Sequence, residues 1–105
     1  MDEKLNLQEL NNLFEAILTL KTVEECNDFF GDLCTVQELK SMSQRYQVAV
    51  MLKDKKVYSD IVKETGASTA TISRVNRSLN YGNDGYDMVF ERVPAVPFDV
   101  TSDSK

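Results

Sequence analysis

Histidine is absent from this 105-residue chain. With it go the commonest general base, the commonest metal ligand and any Ser-His-Asp or Cys-His nucleophile pair. Cysteine is scarce, with Cys26 and Cys34 as the two copies. A zinc site needs about four ligands at recognisable spacing, which two thiols cannot supply. Neither a metal nor a cofactor is expected. Both thiols read as reduced and packed, with a single disulfide as the alternative outside a reducing compartment. Long apolar runs are missing too. None approaches the roughly 18 residues of a membrane span, and Met1-Asp2-Glu3-Lys4 lacks the basic-then-apolar opening of a secretory signal. These absences point to a cytoplasmic chain with no membrane partner and no enzymatic activity.

What is there is the composition of one small globular domain, 42% apolar and 28% charged. The net charge of −5 argues against a generic polyanion binder. Its distribution says more. Residues 1–52 carry nine acids and four bases, and residues 81–105 five acids and two bases. Between them, residues 53–80 hold six bases (Lys53, Lys55, Lys56, Lys63, Arg74 and Arg77) against three acids. One cationic window lies in an acidic chain.

The pattern is helical throughout. Leu7, Leu10, Leu13, Phe14, Ile17 and Leu18 recur at spacings of three and four with no proline or glycine between them. Thr22 with Glu25 and Thr35 with Glu38 have the spacing of capping boxes, predicting helix starts at 23 and 36. The second helix is expected to reach about residue 33. The third, with Leu39, Met42, Tyr46, Ala49, Val50 and Met51, is expected to reach about residue 52. Two shorter helices are expected near 58–64 and 69–79. The turn-rich Asn80-Tyr81-Gly82-Asn83-Asp84-Gly85 closes the fifth. A sixth helix is predicted over 86–93, and residues 94–105 read as a flexible tail. The fold class is all-α, with residues 1–93 as the domain.

The informative stretch is 58–79. A helix-turn-helix needs two short helices joined by a tight turn, commonly with glycine where the chain leaves helical dihedrals. Gly66 fits that point, and Ser68 fits the N-cap of the second helix. Ile72, Val75 and Leu79 form an inward stripe, matched by Ile61 and Val62 on the first helix. The outward face is then Thr69, Ala70, Ser73, Arg74, Asn76 and Arg77. Small residues at its start allow close approach to a major-groove floor. Lys63, Lys55, Lys56 and Arg77 are placed for phosphates. The alternative is a solvated helical hairpin whose charges are only surface.

Gly66-Ala67-Ser68-Thr69-Ala70-Thr71-Ile72-Ser73-Arg74 with Ser78-Leu79 resembles the helix-turn-helix of the tryptophan repressor family. Leu33-Cys34-Thr35-Val36-Gln37-Glu38 and Arg45 match it in register upstream. Asp32-Leu33-Cys34-Thr35, Ser68 and Arg74-Val75-Asn76-Arg77-Ser78-Leu79-Asn80-Tyr81-Gly82 are closer still to its YerC/YecD-type branch. The resemblance implies a six-helix, intertwined homodimer whose two reading helices enter successive major grooves of double-stranded DNA. It adds Ser59, Ser68 and Thr71 to the candidate DNA contacts. A second copy would also bury Leu13, Phe14, Ile17, Phe29 and Phe30, for which so short a chain has little room. A compact monomer is the alternative.

The same resemblance implies an effector pocket at Thr35, Arg45, Thr71 and Arg74, with the two arginines flanking an indole. An arginine pair can clamp a carboxylate. However, the family's repressor has glycine after the second arginine, and here Val75 stands there. Overfilling such a space costs about 1–3 kcal/mol, so tryptophan is not the expected ligand. Val75 filling the pocket, with Arg45 and Arg74 pairing to carboxylates or phosphates, is the favoured reading; a smaller effector is the alternative. Taken together, the sequence predicts a dimeric, sequence-specific transcriptional regulator acting as a repressor. A helical protein-interaction module that retains the hairpin is the competing reading.

Overall fold

Each helix start in the N-terminal half is written in a short polar side chain. In the computed structural model, which describes residues 4–93, α1 (Leu7–Ile17) is capped by Asn6, whose Oδ1 accepts from the Glu9 amide at 3.0 Å. α2 (Val23–Leu33) starts at Thr22, whose hydroxyl oxygen accepts from the Glu25 amide. The Glu25 carboxylate reaches one residue further back than a capping box requires, accepting from the Lys21 amide at 2.8 Å. α3 (Val36–Lys53) has the complete reciprocal pair: the Glu38 amide donates to Thr35 Oγ1 and the Thr35 amide to Glu38 Oε1. These bonds satisfy amides that no helical carbonyl can reach.

The chain divides into two compact units, one ending at Ser41 and one beginning at Met42 within α3. In the N-terminal unit no described residue is buried. Leu10, Leu13 and Ile17 on α1 are half-buried, while Leu7, Phe14 and Leu18 are exposed. Phe29 and Phe30 meet edge to face, with ring centroids 5.5 Å apart. The described residues of this unit do not by themselves enclose the apolar side chains of its helices.

The C-terminal unit has the core. Val48, Ala49 and Met51 of α3, Ile61 of α4 (Tyr58–Thr65), Ala67 of the turn, and Ile72 and Val75 of α5 (Thr69–Tyr81) form one buried cluster. Leu52, Val62, Leu79, Tyr86 and Phe90 pack at its edge. Full burial of an Ile or Met side chain is worth about 1.5–3 kcal/mol, so this cluster sets the geometry of the hairpin. α6 (Gly85–Arg92) lies against it. Tyr46 and Phe90 rings are 5.7 Å apart, and Lys53 Nζ approaches the otherwise unpartnered Asp87 Oδ1 to 2.9 Å.

Six helices in the expected order and no strand make up the described residues, an all-α fold. Most boundaries fall within a residue of expectation, and the end of α5 differs by two. α5 continues through Asn80 and Tyr81 because Asn80 Nδ2 donates to the Asn76 carbonyl at 3.0 Å, supporting the last turn instead of breaking it. Closure falls on Gly82, whose amide donates to the Ser78 carbonyl. The expected tail, residues 94–105, lies outside the described residues.

Candidate nucleic-acid interface

The α4–α5 turn is built from three residues. Gly66 takes φ 76°, ψ 2°, a left-handed conformation that favours glycine, and its amide donates to Val62 O. Thr65 Oγ1 donates to Ile61 O at 2.7 Å and accepts from the Ala67 amide at 3.0 Å. Gln44 Nε2, from α3, donates to Thr65 O at 3.1 Å. Ala67 then sits in the core at 2% exposure. Sequence reasoning named Gly66 and missed Gln44, Thr65 and Ala67. A threonine directly before the turn glycine was the available signal.

Ser68 caps α5 as its position suggested. Its Oγ accepts from the Thr71 amide at 3.1 Å and donates toward Thr71 Oγ1 at 3.2 Å. Both hydroxyls are thus engaged within the helix start. Thr71 is half-buried. Thr69, Ala70, Ser73, Arg74 and Arg77 are exposed, and Asn76 is half-buried with its carbonyl taken by Asn80. Ser59 and Lys63, four residues apart on α4, are exposed as well.

The electrostatics favour an anion. The first turn of α5 has no carboxylate, whereas each of the other five helices has one. The positive end of its dipole is therefore uncompensated. Among the described residues, Arg45, Lys55, Lys63, Arg74 and Arg77 stand outside every ion pair. Of the two partners expected for Arg45 and Arg74, carboxylates or phosphates, no carboxylate among the described residues pairs with either arginine. Lys56 faces Asp54 at 3.8 Å on the exposed surface, a contact worth about 0–1 kcal/mol. Lys53 is committed to Asp87.

Of the resemblance-derived pocket, Thr35 belongs to the N-terminal unit, where it caps α3. Arg45, Thr71 and Arg74 lie in the C-terminal unit, and among the described residues no hydrogen bond joins them to one another. They line neither of two open grooves of that unit. The first, about 420 Å³, is bounded by Tyr46, Ser78, Gly82, Asn83, Gly85, Tyr86 and Val89. The second is bounded by Val50, Lys53, Asp54 and Phe90. Val75 is 2% exposed and packs in the core. Among the described residues no cluster of potential metal ligands occurs, and no helix is long and apolar enough to cross a membrane.

A capped helix whose far face is cationic and, among the described residues, outside every ion pair, held by a glycine turn, is the arrangement of a helix-turn-helix reader. A family profile described as Trp repressor protein matches residues 8–94. The chain belongs to the Trp repressor family. Within this superfamily it falls in the YerC-type branch, being 57% identical to the uncharacterised protein YerC of Bacillus subtilis strain 168 over 91 residues. That alignment covers 87% of this chain and 88% of YerC. A crystal structure of a TrpR-like protein from Eubacterium eligens ATCC 27750 is 64% identical with a TM-score of 0.79, covering 81% of this chain and 88% of that one. A proposed Trp repressor from Staphylococcus aureus is 59% identical, also at TM-score 0.79, covering 81% and 85%. The six-helix, all-α architecture is thus the Trp-repressor-like fold. Trp repressor family proteins are DNA-binding regulators, and that general class extends to this member.

Proposed function

We propose that this YerC-type member acts as a homodimer that reads a two-fold-related site in double-stranded DNA through α5, and thereby represses transcription in the cytoplasm. The observation that carries the reading is the face of α5. Thr69, Ala70, Ser73, Arg74 and Arg77 are exposed on a helix whose opposite side is locked in the core, with no carboxylate among the described residues taking the arginines. Thr69 and Ala70 are small enough for the helix start to reach base edges, where their methyls can meet thymine. Arg74 and Arg77 have the fork geometry for guanine or phosphate, and Lys63 with Lys55 supplies point charges for the backbone. The Ser68 hydroxyl orients the helix start, accepting from the Thr71 amide and donating to Thr71 Oγ1, which leaves the Thr71 O–H as a donor for the DNA.

Dimerisation is supported by the N-terminal unit. Its helices expose Leu7, Phe14, Leu18, Val23 and Leu33 and bury nothing. A second copy is the partner a closed two-fold assembly offers, and two reading helices then meet half-sites about 34 Å apart. Tryptophan is not the effector in this reading: Val75 occupies core space next to Arg74.

Selection from random duplexes, followed by binding at rising salt, tests the proposal. A two-fold-related consensus is expected, with affinity falling by about 10³ or more between 50 and 200 mM salt and unchanged by added L-tryptophan. Arg77→Ala should flatten the salt dependence by about 0.9 in slope for each phosphate lost. Failure of the folded protein to enrich any sequence at low salt would refute DNA reading and favour a protein partner.

A further inference from the structure

Tyr81 is the most exposed of the large hydrophobic residues described in the C-terminal unit, at 85%. Its position on α5 is not incidental. Ala70, Arg74, Arg77 and Tyr81 follow one another at i, i+4, i+7 and i+11, which is one stripe of a helix. All four are exposed. Tyr81 therefore continues the line of the proposed reading face, although the turn-rich sequence placed it in a loop.

Two local devices hold it there. Asn80 Nδ2 bonds the Asn76 carbonyl at 3.0 Å, and also faces Asn76 Oδ1 at 3.4 Å, so the last turn stays helical. Gly82 then closes onto Ser78: its amide donates to the Ser78 carbonyl, and a Cβ at this position would collide with that oxygen. Only glycine permits so close an approach without a shift.

The stripe is long enough to matter. Eleven residues at about 1.5 Å each separate Ala70 from Tyr81 by roughly 16 Å along the axis. A major groove is about 12 Å wide and 8.5 Å deep. A helix whose first turn lies at the groove floor therefore carries its last turn beyond the bases, beside the phosphates of the wall. A phenol there has a donor hydroxyl for a phosphate oxygen and a ring to lay on the sugar.

We infer that Tyr81 is a phosphodiester-backbone contact at the far end of the reading helix, with Asn80 and Gly82 as the residues that position it. This rests on the DNA-reading proposal above and extends it beyond the cationic residues. Because the phenol is neutral, its contact releases no counterion. It should strengthen binding without adding to the salt slope.

The test compares Tyr81→Phe, Tyr81→Ala and Arg77→Ala on the selected duplex, each checked for helicity and oligomeric state. Loss of the hydroxyl is expected to weaken binding about tenfold, the usual effect of a hydrogen bond to a charged group. The base consensus and the salt slope should not change, whereas Arg77→Ala should lower the slope. Asn80→Ala should weaken binding in the parent protein and much less in the Tyr81→Phe background, since both act through one contact. Unchanged affinity in both Tyr81 variants would overturn the inference while leaving the reading intact. A change of oligomeric state in Tyr81→Ala would assign the ring to a second copy and overturn it too. If the unmodified protein selects no consensus, the reading falls and this contact with it.

Discussion

The N-terminal and C-terminal units are built from the same materials and end in opposite states. Both consist of helices with polar caps and apolar stripes, and the caps at Asn6, Thr22 and Thr35 are as complete as the one at Ser68. Yet among the described residues every buried one lies at Met42 or beyond, and Lys4 to Ser41 contains none. Local signals thus decide that a helix forms, while closure of a core requires a second apolar surface. Isolated helices shorter than about 12–15 residues are marginal in water. α1 and α2, at 11 residues each, need a partner for their apolar sides, and the C-terminal hairpin has one in α3.

Substitutions break this contrast in graded ways. The largest effect is expected from Ile72→Ala. It empties part of the cluster around Met51 and Ile61 and should lower unfolding stability by about 2–5 kcal/mol in denaturant titration. A half-buried N-terminal residue should behave differently. Phe30→Asp places a charge beside Phe29, and should weaken self-association about 100-fold, or about 2.7 kcal/mol, in sedimentation at varied concentration. It should also change how far the melting temperature depends on protein concentration. A mutant that melts and sediments like the parent would show that this unit has no partner copy.

Smaller effects separate turn from cap. Gly66→Ala forces a side chain to φ 76°, a strain of about 1–2 kcal/mol. It should loosen the hairpin and DNA binding together. Thr35→Ala removes the oxygen that accepts from the Glu38 amide, and should cost about 1 kcal/mol in thermal unfolding with DNA contacts untouched. If Thr35→Ala instead abolished effector-dependent behaviour at unchanged stability, its role as a cap would be secondary to a ligand.

The legible part of the molecule was whatever depends on neighbours in the chain. Thr35 with Glu38 announced a capping box, Gly66 a left-handed turn, and Ile72 with Val75 a buried stripe; each is found where its spacing put it. Asn80 misled because asparagine has two outlets. Its amide can open a turn, or bond back to a carbonyl four residues earlier as it does to Asn76. Val48 and Ala67 were unreadable as core because their burial depends on α4 and α5 folding back across α3, a contact no window of sequence contains.

The candidate interface divides along the same line. Composition and spacing picked out the cationic window, but pairing within the fold sorted its members. Lys53 is drawn to Asp87 on α6, thirty-four positions away, whereas Arg74 and Arg77 remain outside every ion pair of the described residues. Sequence by itself determined six helices, most of their starts and the glycine-turn hairpin, because capping and periodicity act within a few residues. Tertiary structure decided which apolar stripes close into a core, which cations of the described residues are drawn into ion pairs, and that Tyr81 joins the exposed stripe of α5. Those outcomes depend on which surfaces meet in space, and chain order alone does not fix them.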